Sequence, residues 1–255
     1  GGTSSTYLTF SNGSIVAGNH GVDVTSSASG TSSASVYAGI YDSVITAGGS
    51  GVEMSGTSAG GATLNQSLTV DPTTIHSDGH YGIYVHAAVS GGTFTQNLTV
   101  DDVTLSGTMD GGLTVLGKAT GGHLFQNIDV NDFSVSGADV AIGIVAYGAH
   151  GGKVDQTVGL TDIHADGAGF SSIALSSVGY TGAVVQQRAN LSDIAASHAG
   201  AGLILEAYAY TGATATQSVY VSNLMADDDG ASGVEATARS LGTASGAPTI
   251  AAQYV

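Results

Sequence analysis

The chain has 255 residues, of which 40 are glycine, 2 are proline and none is cysteine, so a disulfide framework and a thiolate zinc site are excluded. Its 20 acidic and 4 basic residues give a formal net charge of -16 at pH 7, and such a surface repels nucleic acid and anionic lipid. The hydrophobic content of 42% excludes a disordered glycine- and serine-rich chain, and no apolar run approaches the ~20 residues of a membrane span.

A motif of about 30 residues repeats along most of the chain. Its marker is a glutamine that recurs at intervals of 30, 30, 30, 31 and 30 residues: Gln66, Gln96, Gln126, Gln156, Gln187 and Gln217. A glycine stands five residues before each glutamine: Gly61, Gly91, Gly121, Gly151, Gly182 and Gly212. Apolar or small residues stand at alternate positions on both sides of each glutamine. This alternation predicts a strand with one buried face, on which the glutamines share the inward side.

The elements follow one another in the same order in each repeat. A weaker form of the pattern begins upstream, through Ile15 and Val44. From Gln66 onward the alternation breaks six residues after each glutamine at a turn-type residue: Pro72, Asp102, Asp132, Asp162, Asp193 and Asn223. A second short strand is predicted after this break, and a third after a glycine-rich bend, as in Gly82-Ile83-Tyr84-Val85. The pattern fades beyond Val234.

Three short strands per repeat predict an all-β, right-handed parallel β-helix, a three-sided solenoid of about eight coils of ~30 residues. One repeat is too small to bury its own apolar side, so stacking at ~4.8 Å creates the core and gives a rod of roughly 40 Å. We expect a single domain over residues 1–255, with a lead-in at 1–6, coils at 7–250 and a tail at 251–255. Leucine-rich and helical repeats lack support, because Gly, Ser, Thr and Val dominate here.

With these coils in place, the chain resembles the passenger β-helices of Gram-negative autotransporters and related bacterial surface adhesins. The resemblance covers roughly residues 7–250 and depends on regular coils, Gly-Gly turns such as Gly91-Gly92 and Gly121-Gly122, acidic charge and the lack of cysteine. It implies an extracellular or cell-surface rod of a Gram-negative bacterium that is used for adhesion, spacing or assembly.

The glutamines and aspartates that mark the repeat are candidate sites, each with a structural alternative. Stacked inward glutamine amides can donate and accept along the axis, so we expect a structural ladder rather than a ligand tunnel. The recurring aspartates are Asp102, Asp132, Asp162 and Asp193. We expect them to cap turns, with a calcium (Ca2+) site as the alternative, because a straight column supplies few of the six or more ligands that calcium takes. The run Asp227-Asp228-Asp229 is interpreted as a solvated loop.

Polysaccharide-cleaving enzymes use paired carboxylates, so acidic pairs in the sequence are candidate catalytic groups. Asp101 and Asp102 form an adjacent pair, and Asp78-Gly79-His80 partly matches a polygalacturonase signature, but the order of the remaining motif is reversed and its basic Arg-x-Lys is missing. No catalytic residue and no cofactor is therefore assigned. A surface metal site at His76, His80 and His86 is a further weak alternative.

Four tyrosines, Tyr147, Tyr180, Tyr208 and Tyr210, recur near the third strand of consecutive coils and are predicted to form an interaction surface. The short segments 1–6 and 251–255 are expected to leave strand edges open for end-to-end assembly. The sequence thus favours a non-catalytic adhesin, spacer or self-assembling filament subunit, whose partners are copies of itself or host or bacterial surface glycans or proteins. The alternative is a polysaccharide-binding or polysaccharide-cleaving β-helix, such as a lyase, a glycosidase or a tailspike-like protein.

Overall fold

The computed structural model describes residues 1–227, 230, 232–241 and 249–254, the last of these through their backbone. All regular structure in this part of the chain is β-strand. The strands are β1 Thr3–Ser11, β2 Ser14–Ala17, β3 Val22–Ala28, β4 Ser33–Tyr41, β5 Ser43–Ala47, β6 Val52–Ala59, β7 Thr63–Val70, β8 Thr73–Ser77, β9 Tyr81–Ser90, β10 Thr93–Ser106, β11 Met109–Thr120, β12 His123–Ser136, β13 Ala138–Ala149, β14 Lys153–Asp166, β15 Ser171–Gly179, β16 Val184–Ser197, β17 Ala201–Tyr210, β18 Thr214–Asp227, β19 Ser232–Leu241 and β20 Thr249–Tyr254.

Two parallel sheets run the length of the rod. The long sheet has 12 strands in the order β1-β4-β7-β10-β12-β14-β16-β18-β20, with β2, β5 and β8 on a side branch, and the short sheet has 8 strands in the order β19-β17-β15-β13-β11-β9-β6-β3. Neighbouring strands come from successive repeats, and their register aligns each glutamine with the next. The chain is therefore a parallel β-helix of about eight turns, which confirms the predicted fold class.

The strands of a turn differ from the prediction at one corner. From β10 onward the first and second strands of each turn are one 14-residue strand that continues through the bend. The bend residue has a left-handed backbone in seven turns: Asn12, Asp42, Asp102, Asp132, Asp162, Asp193 and Asn223. Asp and Asn tolerate this conformation better than other residues with a side chain, so the chain changes direction here while its hydrogen bonding continues.

A second corner is a tight turn that precedes each glutamine-bearing strand. The six glycines that stand five residues before the glutamines all have φ between 71° and 86°. In the later turns the residue before the glycine is also left-handed, with φ 45° at Thr181 and 38° at Thr211, and the N–H of Ala213 donates to Tyr210 O at 3.1 Å. Two left-handed central residues are typical of a type I′ turn. A β-branched threonine is strained in this conformation.

The glutamines lie inside the rod as one buried column, here called the glutamine column. Each side chain is at most 3% exposed. The Nε2 of each glutamine donates to the Oε1 of the glutamine one turn earlier, at 2.7, 2.7, 2.8, 2.5 and 2.5 Å. At the N-terminal end, Gln66 Nε2 donates to Ser26 Oγ and to the carbonyl of Ser55. The amides thus satisfy one another along the rod axis.

The short sheet places small residues opposite the glutamine column. The register aligns these inward positions of successive turns: Gly56, Ala87, Gly117, Ala146, Ser177 and Ala207. A Cβ at Gly117 would lie 2.0 Å from Gln126 Oε1, so this position has no room for a side chain. Leucine, valine, isoleucine and phenylalanine fill the rest of the interior, including fully buried Phe94 and Phe133.

The two terminal segments also contain strand residues. Residues 3–6, which the sequence analysis assigns to a lead-in, lie in β1 and pair with β4. Residues 251–254, assigned to a tail, lie in β20, whose backbone pairs with β18. Val255 lies outside the described residues. Parallel pairing with the neighbouring turn therefore extends past both predicted boundaries.

Replacing Thr211 by glycine should stabilise the protein, because a left-handed conformation costs about 1–2 kcal/mol for a residue with a Cβ and almost nothing for glycine. We expect the free energy of unfolding to rise by about 1 kcal/mol in urea titrations. The control is Thr214→Gly, inside β18, which should lower stability because glycine weakens a strand. A Thr211→Gly variant that is less stable than the wild type would contradict the strain argument.

Replacing Gln126 by leucine should destabilise the protein, since Gln96 Oε1 loses its donor and Gln156 Nε2 loses its acceptor. Each unpaired buried group costs about 1–3 kcal/mol. The control is Asn127→Leu at the next, exposed position of the same strand, where we expect a change within about 0.5 kcal/mol. Equal urea midpoints for the two variants would show that the amide bonds do not contribute to stability.

Candidate functional site

The outward side chains of β9, β11, β13, β15, β17 and β19 form a surface that we call the tyrosine face. Its four columns along the rod axis are Tyr84, Thr114, Gly143, Ala174, Ile204, Glu235; His86, Leu116, Val145, Ser176, Glu206, Thr237; Ala88, Lys118, Tyr147, Val178, Tyr208, Arg239; and Ser90, Thr120, Ala149, Tyr180, Tyr210, Leu241. The columns contain two basic and two acidic residues, and Asp110 and Asp139, which are exposed on β11 and β13 beside the columns, add two more acidic ones, within a chain of formal charge -16.

The four predicted tyrosines lie together on this face, in two adjacent columns. Tyr147 and Tyr208 share one column, with Val178 between them, and Tyr180 and Tyr210 share the next. The rings of Tyr180 and Tyr210 are parallel, 4.3 Å apart, and the ring of Tyr147 lies 5.3 Å from that of Tyr180 at 37°. The rings of Tyr180 and Tyr210 cover one face of each other, which leaves less flat ring surface on which a ligand can stack.

The environments of Tyr180 and Tyr208 raise the pKa of their hydroxyl groups. Burial raises the pKa of Tyr180, as does the hydrogen bond with Tyr210. Burial also raises the pKa of Tyr208, whose hydroxyl donates to Glu206 Oε1 at 3.0 Å. These phenols therefore remain neutral hydrogen-bonding groups at physiological pH.

A groove adjoins the tyrosines at the N-terminal side of the face. It has a volume of about 460 Å³, and its lining includes Thr57, Ala88, His86, Leu116 and Lys118. The small side chains of the lining create the depression, and the longer side chains form its walls. Burial lowers the pKa of His86, and the charge of Lys118 lowers it further, so this imidazole is neutral at pH 7.

Lys118 connects the groove to the tyrosines. Its Nζ lies 5.5 Å from the ring centroid of Tyr147, a cation–π distance. A second aromatic group lies across the face, where the rings of Tyr81 and Tyr84 stack at 4.7 Å and Tyr84 contacts His86. The predicted interaction surface contains neither Tyr81 nor Tyr84, and His86 was predicted only as part of an alternative metal site, although the alternation of the third strand places Tyr84 and His86 outward.

The aspartate column takes a different position, at the exposed corner of the long sheet. Asp102, Asp132, Asp162 and Asp193 have φ of 49°, 48°, 52° and 56°. They act in the bend through their backbone conformation. Among residues 1–227, 230 and 232–241, no group of three or more histidine, aspartate and glutamate side chains is arranged to hold a metal ion. Asp228 and Asp229 lie outside the described residues.

The two carboxylates of the adjacent pair Asp101 and Asp102 lie in different environments. Asp101 accepts a hydrogen bond from Asn131 Nδ2 at 2.7 Å, and Asp102 occupies the bend. Burial raises the pKa of nearby Asp71, and the negative charges of Asp101, Asp102 and Asp42 raise it further, so this corner accumulates like charge.

Histidines pair with carboxylates rather than with one another. His76 Nε2 lies 3.1 Å from Asp78, and His80 Nδ1 lies 3.2 Å from Asp110. His86 is apart from both, on the tyrosine face. The structure therefore does not bring the predicted trio of His76, His80 and His86 together as one metal site.

Comparisons of the chain with family models, with curated proteins and with solved structures found no match. In the part of the chain that the structure describes, no helix has the length and apolar character needed to cross a membrane.

Proposed function

We propose that this protein is a non-catalytic β-helical rod that presents the tyrosine face as a binding surface, in the manner of an adhesin or a spacer outside the cell. The observation that carries the proposal is the grouping of half-buried tyrosines with two of the four basic residues on one face of a chain of formal charge -16. Interface cores are depleted in charged residues and enriched in tyrosine.

The outer surface of the long sheet differs from the tyrosine face in composition, and this difference supports the proposal. The outward positions of the long sheet carry mainly threonine, asparagine, serine and aspartate, such as Asn97, Asn127 and Thr157 in one aligned column. The long sheet also exposes Phe125 and Tyr220, but on the separate strands β12 and β18, whereas apolar residues that cluster on one face mark an interaction site. The tyrosine face is the side on which Leu116, Val145 and Ile204 cluster.

A location outside the cell fits the composition. The absence of cysteine and the shortage of lysine match exported bacterial rods, and the style of the repeat resembles autotransporter passengers. A cleaving enzyme is the alternative class, and the carboxylates of Asp101 and Asp102 are its candidates. The separate roles of these two side chains favour binding without cleavage.

End-to-end assembly is a second candidate function. Among the described residues, β1, β2 and β3 each pair with a strand on one side only. The first turn also exposes Tyr7 and Val16, whose side chains are 79% and 83% accessible. Such edges accept a further parallel strand, and a second copy of the chain can provide one.

Replacing Tyr147, Tyr180, Tyr208 and Tyr210 together by serine should weaken binding to the protein's surface partner. We expect affinity for immobilised host or bacterial glycans and for intact cells to fall at least about tenfold. The matched control replaces Tyr7, Phe125 and Tyr220, which are exposed on the long sheet, and should bind as the wild type does. Circular dichroism and the thermal midpoint establish that the serine variant is folded. Unchanged binding by a folded serine variant would refute the proposed surface.

The assembly candidate predicts concentration-dependent growth of single-file filaments, visible by light scattering and electron microscopy. Inserting a charge with Val16→Lys or Leu8→Lys should shorten them, because an inserted charge opposes strand addition at an edge. Substitutions on the tyrosine face should leave filament length unchanged. A wild-type protein that stays monomeric at millimolar concentration would eliminate this candidate and leave the binding face untouched.

A further inference from the structure

The uncompensated charge of Lys118 is the starting point for identifying what the tyrosine face binds. The chain has four basic residues and twenty acidic ones, yet among the described residues every ion pair uses a histidine as its cation. Lys118 instead lies at the wall of an apolar groove, with the ring of Tyr147 on one side. A cation placed this way attracts an anionic group whose body contacts the groove.

A second cation lies along the same column. The order Lys118, Tyr147, Val178, Tyr208, Arg239 is fixed by the strand register. At ~4.8 Å per turn, the two cations are about 19 Å apart along the rod axis. This separation suits an extended chain with repeated negative charges rather than one small anion.

We propose that the groove at Lys118 and the column that leads to Arg239 bind an acidic oligosaccharide, with its chain along the rod axis and a uronate carboxylate on Lys118. This inference rests on the proposed function, because it names the ligand of the same face.

The remaining groups of the face match the chemistry of a sugar chain. The groove lining carries the hydroxyl groups of Thr57, Ser90 and Thr120, and the tyrosine edges add protonated phenols. Such groups can donate to and accept from sugar hydroxyls. The coil repeat is also close to the length of one pyranose residue.

A peptide fits this surface less well. The strands β9, β11, β13, β15 and β17 pair on both sides, so they leave no edge for main-chain hydrogen bonds with an added strand. A partner must therefore bind through the side chains that the face presents, where sugar rings and their hydroxyls have matching groups.

The acidic residues elsewhere on the rod repel an acidic ligand, but only over a short distance. At physiological salt the screening length is about 8 Å, so carboxylates on the opposite sheet act weakly at the groove. The charges of the face itself then decide the affinity. The two cations attract the ligand and Glu206 and Glu235 in the neighbouring columns oppose it, so loss of Lys118 should weaken binding more than loss of a cation on the long sheet.

The test measures binding of an oligogalacturonate that is long enough to span the column, and of its methyl ester, by calorimetry at physiological salt. Hyaluronate and alginate oligomers extend the set of acidic probes. We expect the wild type to bind the acidic oligomers and to bind the ester at least about tenfold more weakly, because esterification keeps the ring and removes the charge.

The variants are Lys118→Met and Arg239→Met, with Lys153→Met and Arg188→Met on the long sheet as matched controls for the loss of one charge. We expect about tenfold weaker binding for Lys118→Met, a smaller loss for Arg239→Met, and changes within about twofold for both controls. Circular dichroism and thermal midpoints establish that each variant is folded.

Three results would overturn the inference: no binding of any acidic probe at millimolar concentration, equal affinity for the ester, or equal losses for Lys118→Met and Lys153→Met. If Lys118→Met changes nothing while the tyrosine variant still loses binding to cells, the ligand class is wrong and the binding face stands. If both variants bind cells and probes as the wild type does, the proposed function fails with the inference.

Discussion

The structure depends on one constraint, which is that buried amides must find partners along the rod axis. Each glutamine of the column uses its Nε2 to satisfy the Oε1 of the turn before it. A turn that slipped by one residue would turn its glutamine outward and leave two amide groups unpaired inside the core. The column therefore fixes the register of the long sheet, and the small residues opposite it fix how closely the short sheet approaches.

The column also has a direction. Its donors point toward the N-terminal turns, where Gln66 is satisfied by Ser26 and by the carbonyl of Ser55. At the other end Gln217 donates to the turn before it and to the carbonyl of Leu175, and its Oε1 has no partner among the described residues. The register aligns Gln217 with Ile250 in the next strand, so the amide chain ends at Gln217. The two ends of the rod interior are thus chemically different.

With the interior determined by the column, the outward positions are open to variation, and function depends on them. The two outer surfaces differ: the long sheet is mainly polar, with Tyr7, Phe125 and Tyr220 exposed on separate strands, and the short sheet carries tyrosines, aliphatic residues and two of the four basic side chains. Regular turns place these side chains at fixed intervals, so a binding surface extends along the rod without inserted loops. The tyrosine face is such a surface on a chain that is strongly acidic as a whole.

The sequence by itself determined the repeat, the strand alternation and the inward side of the glutamines, because these follow from a period of two within a period of 30. It also located the corner residues, since Asp and Asn at fixed spacing mark a bend. The tertiary structure adds that β10, β12, β14, β16 and β18 continue through that bend, and that Tyr208 aligns with Tyr147 while Tyr180 stacks on Tyr210. The groove between His86 and Lys118 was equally hidden, because it joins side chains about one turn apart in sequence. Such contacts depend on strand register and side-chain rotamers, which the periodicity of a sequence does not specify.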